Sequence, residues 1–243
     1  MTNAEPQADS APHDSTTAEF WRPPAPSRAT RKFPRQLKGG AGRVGLVGGA
    51  FPREIHCESI LEGKAAMVFL ARRDVTDLWE QPPAVEYVDS DGCVHQHTFD
   101  FLVTLRDGRK MAVAVKYHEQ AEKHGVAEML KLIARQVGTA CADLYLLVTD
   151  RHLGADRVHD AKLILWSRRI VSPEADARLR SLCTDLNGRT IIEALVEASG
   201  LEGDGFTAVI HLIDEGFLRV VSAGRIDYPT MVARALSIAG GAP

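Results

Sequence analysis

Apolar residues recur along this chain with two different periods, and the switches between them predict its elements. From His56 to about Arg72, Ile60, Leu61, Met67, Val68 and Leu70 form one broad helical face. Glu58 and Glu62 stand one turn apart on that helix. Pro82-Pro83 ends the link that follows. Val85 to Val88 and Val94 to Leu105 then read as strands joined at Asp91-Gly92, and Met111 to Val115 follows a second turn at Asp107-Gly108. Asp-Gly between apolar runs marks a hairpin because the turn needs positive φ. Three consecutive antiparallel strands are therefore expected. After Lys116 the period returns to that of a helix, from about Gln120 to Val137, with a break allowed at Gly125. Asp143 to Val148 is short and almost wholly apolar, as in a strand covered on both faces, and the helical crossover makes it a parallel partner. The fold class is α/β: a mixed sheet with an antiparallel meander, flanked by helices.

The remainder reads as a separate unit. Val158 to Trp166 and Pro173 to Leu186 are predicted helices, and Asn187-Gly188 is a turn. Thr190 to Ser199 is a helix stopped by Gly200, and Asp204 to Glu215 is another stopped by Gly216. Phe217 to Val221 and Arg225 to Tyr228 are expected to pair around Ser222-Ala223-Gly224. Helices followed by a β-hairpin describe a winged-helix-like domain. The expected division is a disordered tail with a basic arm over 1–43, a core over 44–170 and the winged-helix-like domain over 171–238.

Composition adds limits. The 243 residues carry 29 Lys and Arg against 32 Asp and Glu, so the net charge of -3 gives no global nucleic-acid signature. Basic character is local. Arg28, Arg31, Lys32, Arg35, Lys38 and Arg43 stand in a stretch without acids, beside Phe20, Trp21 and Phe33. Such an arm suits a phosphate backbone, since each neutralised phosphate releases counterions. Cys57, Cys93, Cys141 and Cys183 are far apart and form no CxxC, so free thiols are expected. No apolar run is long enough to span a membrane, no signal peptide pattern opens the chain, and a cytoplasmic location is expected. The formal GxGxxG at Gly40 to Gly45 lacks a preceding strand and is read as a linker.

Chemistry concentrates near the second turn. Asp100 interrupts the first of its two apolar runs and Lys116 ends the second. A carboxylate and an ammonium on adjacent apolar strands are costly unless they pair or bind something. Magnesium and a phosphate would satisfy both. Charges at solvent-facing strand ends are the plainer alternative. His95-x-His97 puts two imidazoles on one strand face, but no third ligand of that type is near, so a solvent-facing pair or a DNA contact is expected rather than zinc.

Several of these residues recur in order in a known family. Glu58-Ser59-Ile60-Leu61-Glu62, Glu80-Gln81-Pro82, His97-Thr98-Phe99-Asp100-Phe101, Asp107-Gly108-Arg109 and Val115-Lys116 resemble the N-terminal domain of TnsA-like transposon endonucleases, in the PD-(D/E)XK, restriction-endonuclease-like superfamily. The resemblance runs from about Arg43 to Asp150. It implies a restriction-endonuclease-like core, and the winged-helix-like unit behind it fits as well. It also implies that Asp100 and Glu58 hold Mg2+ (or Mn2+) and that Lys116 orients water or steadies the phosphoryl charge. Double-stranded DNA is the implied substrate, and transposase and ATPase subunits are the implied partners.

Two positions depart from the family pattern. Ala114 stands where most such nucleases have Asp or Glu, and Phe99 where proline is usual. The Ala114 backbone carbonyl can still ligate the cation, and Glu58, or Glu119 or Glu128 swinging in from the following helix, would replace the lost charge; the TnsA-type enzymes do not strictly need that acid. Two functions follow: a metal-dependent DNA endonuclease, or a catalytically degenerate nuclease fold serving DNA binding and assembly in a mobile element. The helix from Asp204 to Glu215 has no Lys or Arg, so the last unit is expected to dock a protein rather than read a groove. The Phe217 to Tyr228 hairpin would offer it an edge for strand addition.

Overall fold

The computed structural model describes residues 24–30, 46–47, 53–170 and 172–235. Arg31, Lys32, Arg35, Lys38 and Arg43 of the expected arm, the 40–45 glycine stretch and both chain ends lie outside the described residues. β1 (Leu46–Val47) and β2 (Glu54–Ile55) pair antiparallel ahead of α1 (Ile60–Ala71). α1 begins later than its apolar period suggests because Ser59 caps it. The Ser59 hydroxyl accepts from Glu62 N at 3.1 Å and donates to Glu62 Oε1 at 2.9 Å.

β3 (Val75–Glu80) was read as a link in the sequence, yet it is a full strand whose residues alternate in burial. It pairs antiparallel with β6 (Phe101–Leu105), which pairs antiparallel with β7 (Lys110–Val115) through the Asp107-Gly108 turn, where Gly108 has φ +87°. β4 (Val85–Val88) and β5 (Val94–His97) form a separate two-stranded hairpin, so the expected three-stranded meander is corrected. The chain leaves the strand path at Thr98 and Phe99, where Phe99 turns into the core with no exposure. The hairpin docks through Val88, whose N–H and carbonyl both bond Gln136, at 2.8 and 2.7 Å.

The predicted helix after Lys116 is present in two pieces, α2 (His118–Lys123) and α3 (Val126–Val137). Gly125 separates them with φ +58°, a conformation that costs a glycine little. β8 (Leu144–Val148) then lies parallel to β7, giving the mixed order β3-β6-β7-β8. Along β7, Met111, Val113 and Val115 join one core with α1 and α4 (Ala155–Ser167), while Ala112 and Ala114 join another with α2 and α3. β8 is divided in the same way, Leu146 and Val148 against Tyr145 and Leu147. The sheet is thus sandwiched between two helical layers, as its apolar strands require.

A third core lies in the C-terminal part. Its elements are α5 (Pro173–Thr184), β9 (Arg189–Ile191), α6 (Ile192–Ser199), α7 (Glu202–Asp214), β10 (Leu218–Val220) and β11 (Met231–Arg234). The sheet order is β10-β11-β9, all antiparallel. β9 was not expected, and the partner of β10 is Met231–Arg234 rather than Arg225 to Tyr228. Residues 225–230 are held elsewhere: Ile226 N donates to Asp160 Oδ1 at 2.8 Å, and Asp227 N donates to Thr230 Oγ1 at 2.8 Å. Arg168 ties this part to the first, gripping Asp214 at 2.7 and 2.8 Å and donating to the Leu70 and Ala71 carbonyls at the end of α1. Among the described residues, no helix is long and apolar enough to cross a membrane.

Candidate active site

Glu58, Asp100 and Lys116, far apart in sequence, line one open cleft of about 550 Å³. Each is placed by a different element. Asp100 sits just before β6, where its N–H bonds the Val113 carbonyl and its own carbonyl accepts from Gln81, both at 3.0 Å. Its Oδ2 accepts from Val115 N at 2.6 Å, which aims the carboxylate across the end of β7. Lys116 follows β7 directly and is exposed at the cleft mouth. Ala114, one side-chain period before it, is buried and lines the same cleft.

The helix carboxylate is better matched by Glu62 than by Glu58. Glu58 precedes the Ser59 cap, so the two acids do not share a helix face as expected. Glu62 is on the first turn, buried, and its Oε2 accepts from Glu58 N at 2.6 Å. Burial is the main force lifting its carboxyl above the usual range, working against the bonds from Glu58 and Ser59. Each Glu62 oxygen accepts one hydrogen bond where it has roughly two acceptor sites, so capping leaves room for a ligand.

Asp100 carries the strongest perturbation in the cleft. Burial first, then the charge of Glu62, pushes its carboxyl up to about 7, with a smaller push from Glu58; Val115 N–H and Lys116 pull the other way. Glu58, Glu62 and Asp100 all line the open cleft, and Lys116 is the one ammonium among its described lining residues. Hard oxygen donors and excess negative charge fit a divalent cation such as Mg2+. Among the described residues, no three His, Cys, Asp or Glu side chains are gathered closely enough to hold a metal alone. The Ala114 carbonyl, expected as a ligand, lies instead in the β7–β8 ladder: Val115 is in register with Val148 and Lys116 N donates to the Val148 carbonyl at 3.0 Å, which turns the Ala114 carbonyl toward the Val148 N–H. Asp100 and Glu62, with Glu58 beside them, would need oxygens from substrate or water to complete the shell. Glu119 and Glu128, considered as replacements, do not line this cleft; Glu119 borders the neighbouring hollow with Asp150 and Arg151, and Glu128 pairs with Lys131 at 2.7 Å.

Other cleft residues were not singled out for it. His97 lines the cleft with its ring edge-on to Phe99, 4.7 Å between centroids. Burial first, then Lys116, lowers its pKa and keeps the imidazole neutral. His95 points away and meets Asp89 at 2.6 Å, so the two histidines do not form a metal pair. Gln81 has φ +45°, a strained backbone for a residue with a side chain, and it also borders the cleft. Glu80-Gln81-Pro82 was the sequence signal for this corner.

Arg28 is not on a free arm. It holds Asp77 with two bonds of 2.8 and 2.7 Å and lies over the Trp79 ring. Residues 24–30 are strapped to the core, not loose as expected: Ser27 Oγ and Arg28 N both donate to the fully buried Glu80, which also meets Arg53 at 2.7 Å. The strap ends where Thr30 N donates to the Gln81 carbonyl at 3.1 Å. Thr30 is therefore held beside Gln81 at the rim of the acidic cleft.

Part of this cleft lies in a stretch that matches a known family. Residues 72–144 match the family described as TnsA-like endonuclease N terminal. The match covers less than half of the chain. It runs from the end of α1 to the start of β8, taking in Asp100, Ala114 and Lys116 but not Glu58 or Glu62. No curated protein matches the chain.

Proposed function

We propose that the chain, whose residues 72–144 match the TnsA-like endonuclease N-terminal family, is a metal-dependent DNA endonuclease of a transposition complex. The observation that carries the reading is the convergence of Asp100, Glu62 and Lys116 on one cleft from three separate elements. When bound, Mg2+ or Mn2+ would polarise the phosphodiester and lower the pKa of a nucleophilic water. Asp100 and Glu62 would hold it, with Glu58 at its margin. Val115 N–H fixes the direction of the Asp100 carboxylate, so that the donor is in place before substrate arrives. Lys116, without an acidic partner among the described residues, is free to meet a phosphate oxygen or steady the charge on the pentavalent phosphorus. Its ammonium also helps keep His97 neutral.

Arg31, Lys32, Arg35, Lys38 and Arg43 would contact the DNA backbone. The unit from α5 to β11 has the element order of a winged helix, and we read it as such a module. α7 is acidic in its first turn, through Glu202 and Asp204, which argues against groove reading by that helix and for contact with transposase or ATPase subunits.

The degenerate reading rests on Ala114 alone. Incubation with duplex DNA in magnesium or manganese, with the partner subunits present, separates the two. The endonuclease nicks, and Asp100→Ala stops nicking while leaving DNA binding intact. A wild-type protein that binds but never cuts under these conditions is the degenerate module.

A further inference from the structure

The C-terminal unit, residues 173–235, contains ten Asp and Glu, six Arg and no Lys. Its arginines are not spread evenly. Arg180 pairs with Glu215 and Arg225 with Asp227. Arg189, Arg219 and Arg234 instead border one open hollow of about 450 Å³, and no acid lines it. The sheet register explains the clustering. Arg219 on β10 stands opposite Ala233 on β11, and Ala233 stands opposite Arg189 on β9. Residues paired directly across strands share a face. The row therefore reads Arg-Ala-Arg on the outer face, while Val220, Val232 and Thr190 form the next row facing inward.

Two interstrand spacings separate the outer guanidinium stems, about 9–10 Å at the backbone. Buried Ala233 between them has no bulk to hold them apart or to pair with them. Arg234, on the other face, is occupied by the Thr184 carbonyl and by the Phe217 ring. Arg189 and Arg219 are exposed and have no hydrogen-bonding or ionic partner among the described residues. Two like charges held side by side in an otherwise acidic unit raise its energy unless an anion comes between them.

We propose that the outer face of the β10-β11-β9 sheet is a phosphate-backbone contact for nucleic acid, with Arg189 and Arg219 as its ligating pair. The guanidinium fork matches phosphate oxygens in a bidentate manner. The hollow is floored by Gly188, Ala233 and Ala235, which give no deep apolar pocket for an anchoring side chain of a peptide. A polyanion that runs along a surface suits two spaced cations over a shallow floor. The C-terminal unit thus meets nucleic acid through its sheet and not through α7, whose first turn carries Glu202 and Asp204. This revises the expectation that the unit only docks protein. The inference rests on the DNA-substrate reading above, and its test is built to fail separately.

The full chain is titrated with a mixed-sequence DNA duplex in metal-free buffer at several salt concentrations. Loss of two phosphate contacts reduces the slope of log K against log salt by about 2. Arg189→Gln with Arg219→Gln should show that change and weaker binding at low salt. Arg189→Lys with Arg219→Lys keeps the charge and should keep the slope, which also controls for folding. Arg178→Gln, outside the hollow, should leave both unchanged. An unaltered slope in the Gln pair overturns the proposal even if the protein cuts DNA normally. So does loss of binding to an acidic protein partner with DNA binding intact. Failure of the wild-type chain to bind duplex DNA at all overturns both this proposal and the endonuclease reading.

Discussion

The Val115 N–H donates to Oδ2 of Asp100 at 2.6 Å, although the two residues belong to different strand ends. That bond ties the candidate ligand to the strand that delivers Lys116. It also holds a carboxylate where burial and Glu62 both oppose its charge. A position that disfavours its own residue is a common mark of a functional site.

Replacing Asp100 with Asn should therefore stabilise the metal-free fold while removing function. Asn can still accept the Val115 N–H, and it no longer has to ionise. The sign follows from the raised carboxyl pKa: the folded state prefers the protonated acid, so stability is highest below the ordinary Asp range and is lost as pH rises through about 7. Thermal unfolding in chelator at neutral pH should give Asp100→Asn a higher midpoint, by about 2–4 °C for each kcal/mol relieved. A lower midpoint would mean that the charge contributes to the fold.

Ala114→Glu restores the family's missing acid, and the structure gives its cost. Ala114 is 5 % exposed and belongs to the buried cluster with Phe99, Ala112, Ala121 and Val126. A longer acidic side chain there must displace neighbours or turn into the cleft beside Asp100. Without metal the variant should lose about 1–3 kcal/mol by overpacking, and added Mn2+ should return part of it by linkage. Denaturant midpoints with and without Mn2+ measure this. A variant as stable as wild type in chelator would show that the cleft has space for the acid.

The strap makes a stability prediction. Glu80 has no exposure and Arg53 is its ionic partner at 2.7 Å. Arg53→Met leaves a buried carboxylate unpaired and should cost about 3–5 kcal/mol. Limited proteolysis should then cut within residues 24–30 before any other described segment. Equal resistance in both proteins would mean that Ser27 and the Arg28 N–H suffice to hold it.

The junction between the two parts should respond to pH. His211 meets Asp176 and the Ser167 carbonyl, each at 2.8 Å. Burial lowers its pKa, but the Ser167 carbonyl and the Asp176 carboxylate outweigh burial and raise it. The imidazolium's stabilisation is complete below the unfolded value of about 6.5 and disappears as pH rises through the folded one. Urea midpoints should fall across that window more steeply in wild type than in His211→Gln, where only the Asp100 contribution remains. Equal falls in the two proteins would assign no charge to this contact.

Much of this architecture was readable from the chain, for physical reasons. Asp107-Gly108 and Gly125 force local backbone shapes, so their turn and break were legible. β8 was legible because a strand covered on both faces must be apolar throughout. β3 was not, because Thr76, Asp77 and Glu80 dilute its apolar signal, and Glu80 owes its burial to Ser27 and Arg53, distant in sequence. The 225–230 segment misled for a related reason: its bonds go to Asp160 and Thr230. In the cleft, Asp100 and Lys116 stood out as charges ending apolar runs. The choice of Glu62 over Glu58 needed the Ser59 cap, which fixes where the helix begins. The Arg189–Arg219 row had no sequence signal at all, since only the register brings the two together.

Cation binding tests the central claim most directly, because it does not depend on partner subunits. Mn2+ is titrated into the full chain by calorimetry or paramagnetic resonance, in wild type and in Asp100→Ala, Glu62→Gln and Glu58→Gln. The account predicts one saturable site that Asp100→Ala abolishes, that Glu62→Gln weakens by about tenfold or more, and that Glu58→Gln weakens less. No saturable site in wild type, or one indifferent to both Asp100→Ala and Glu62→Gln, would contradict it.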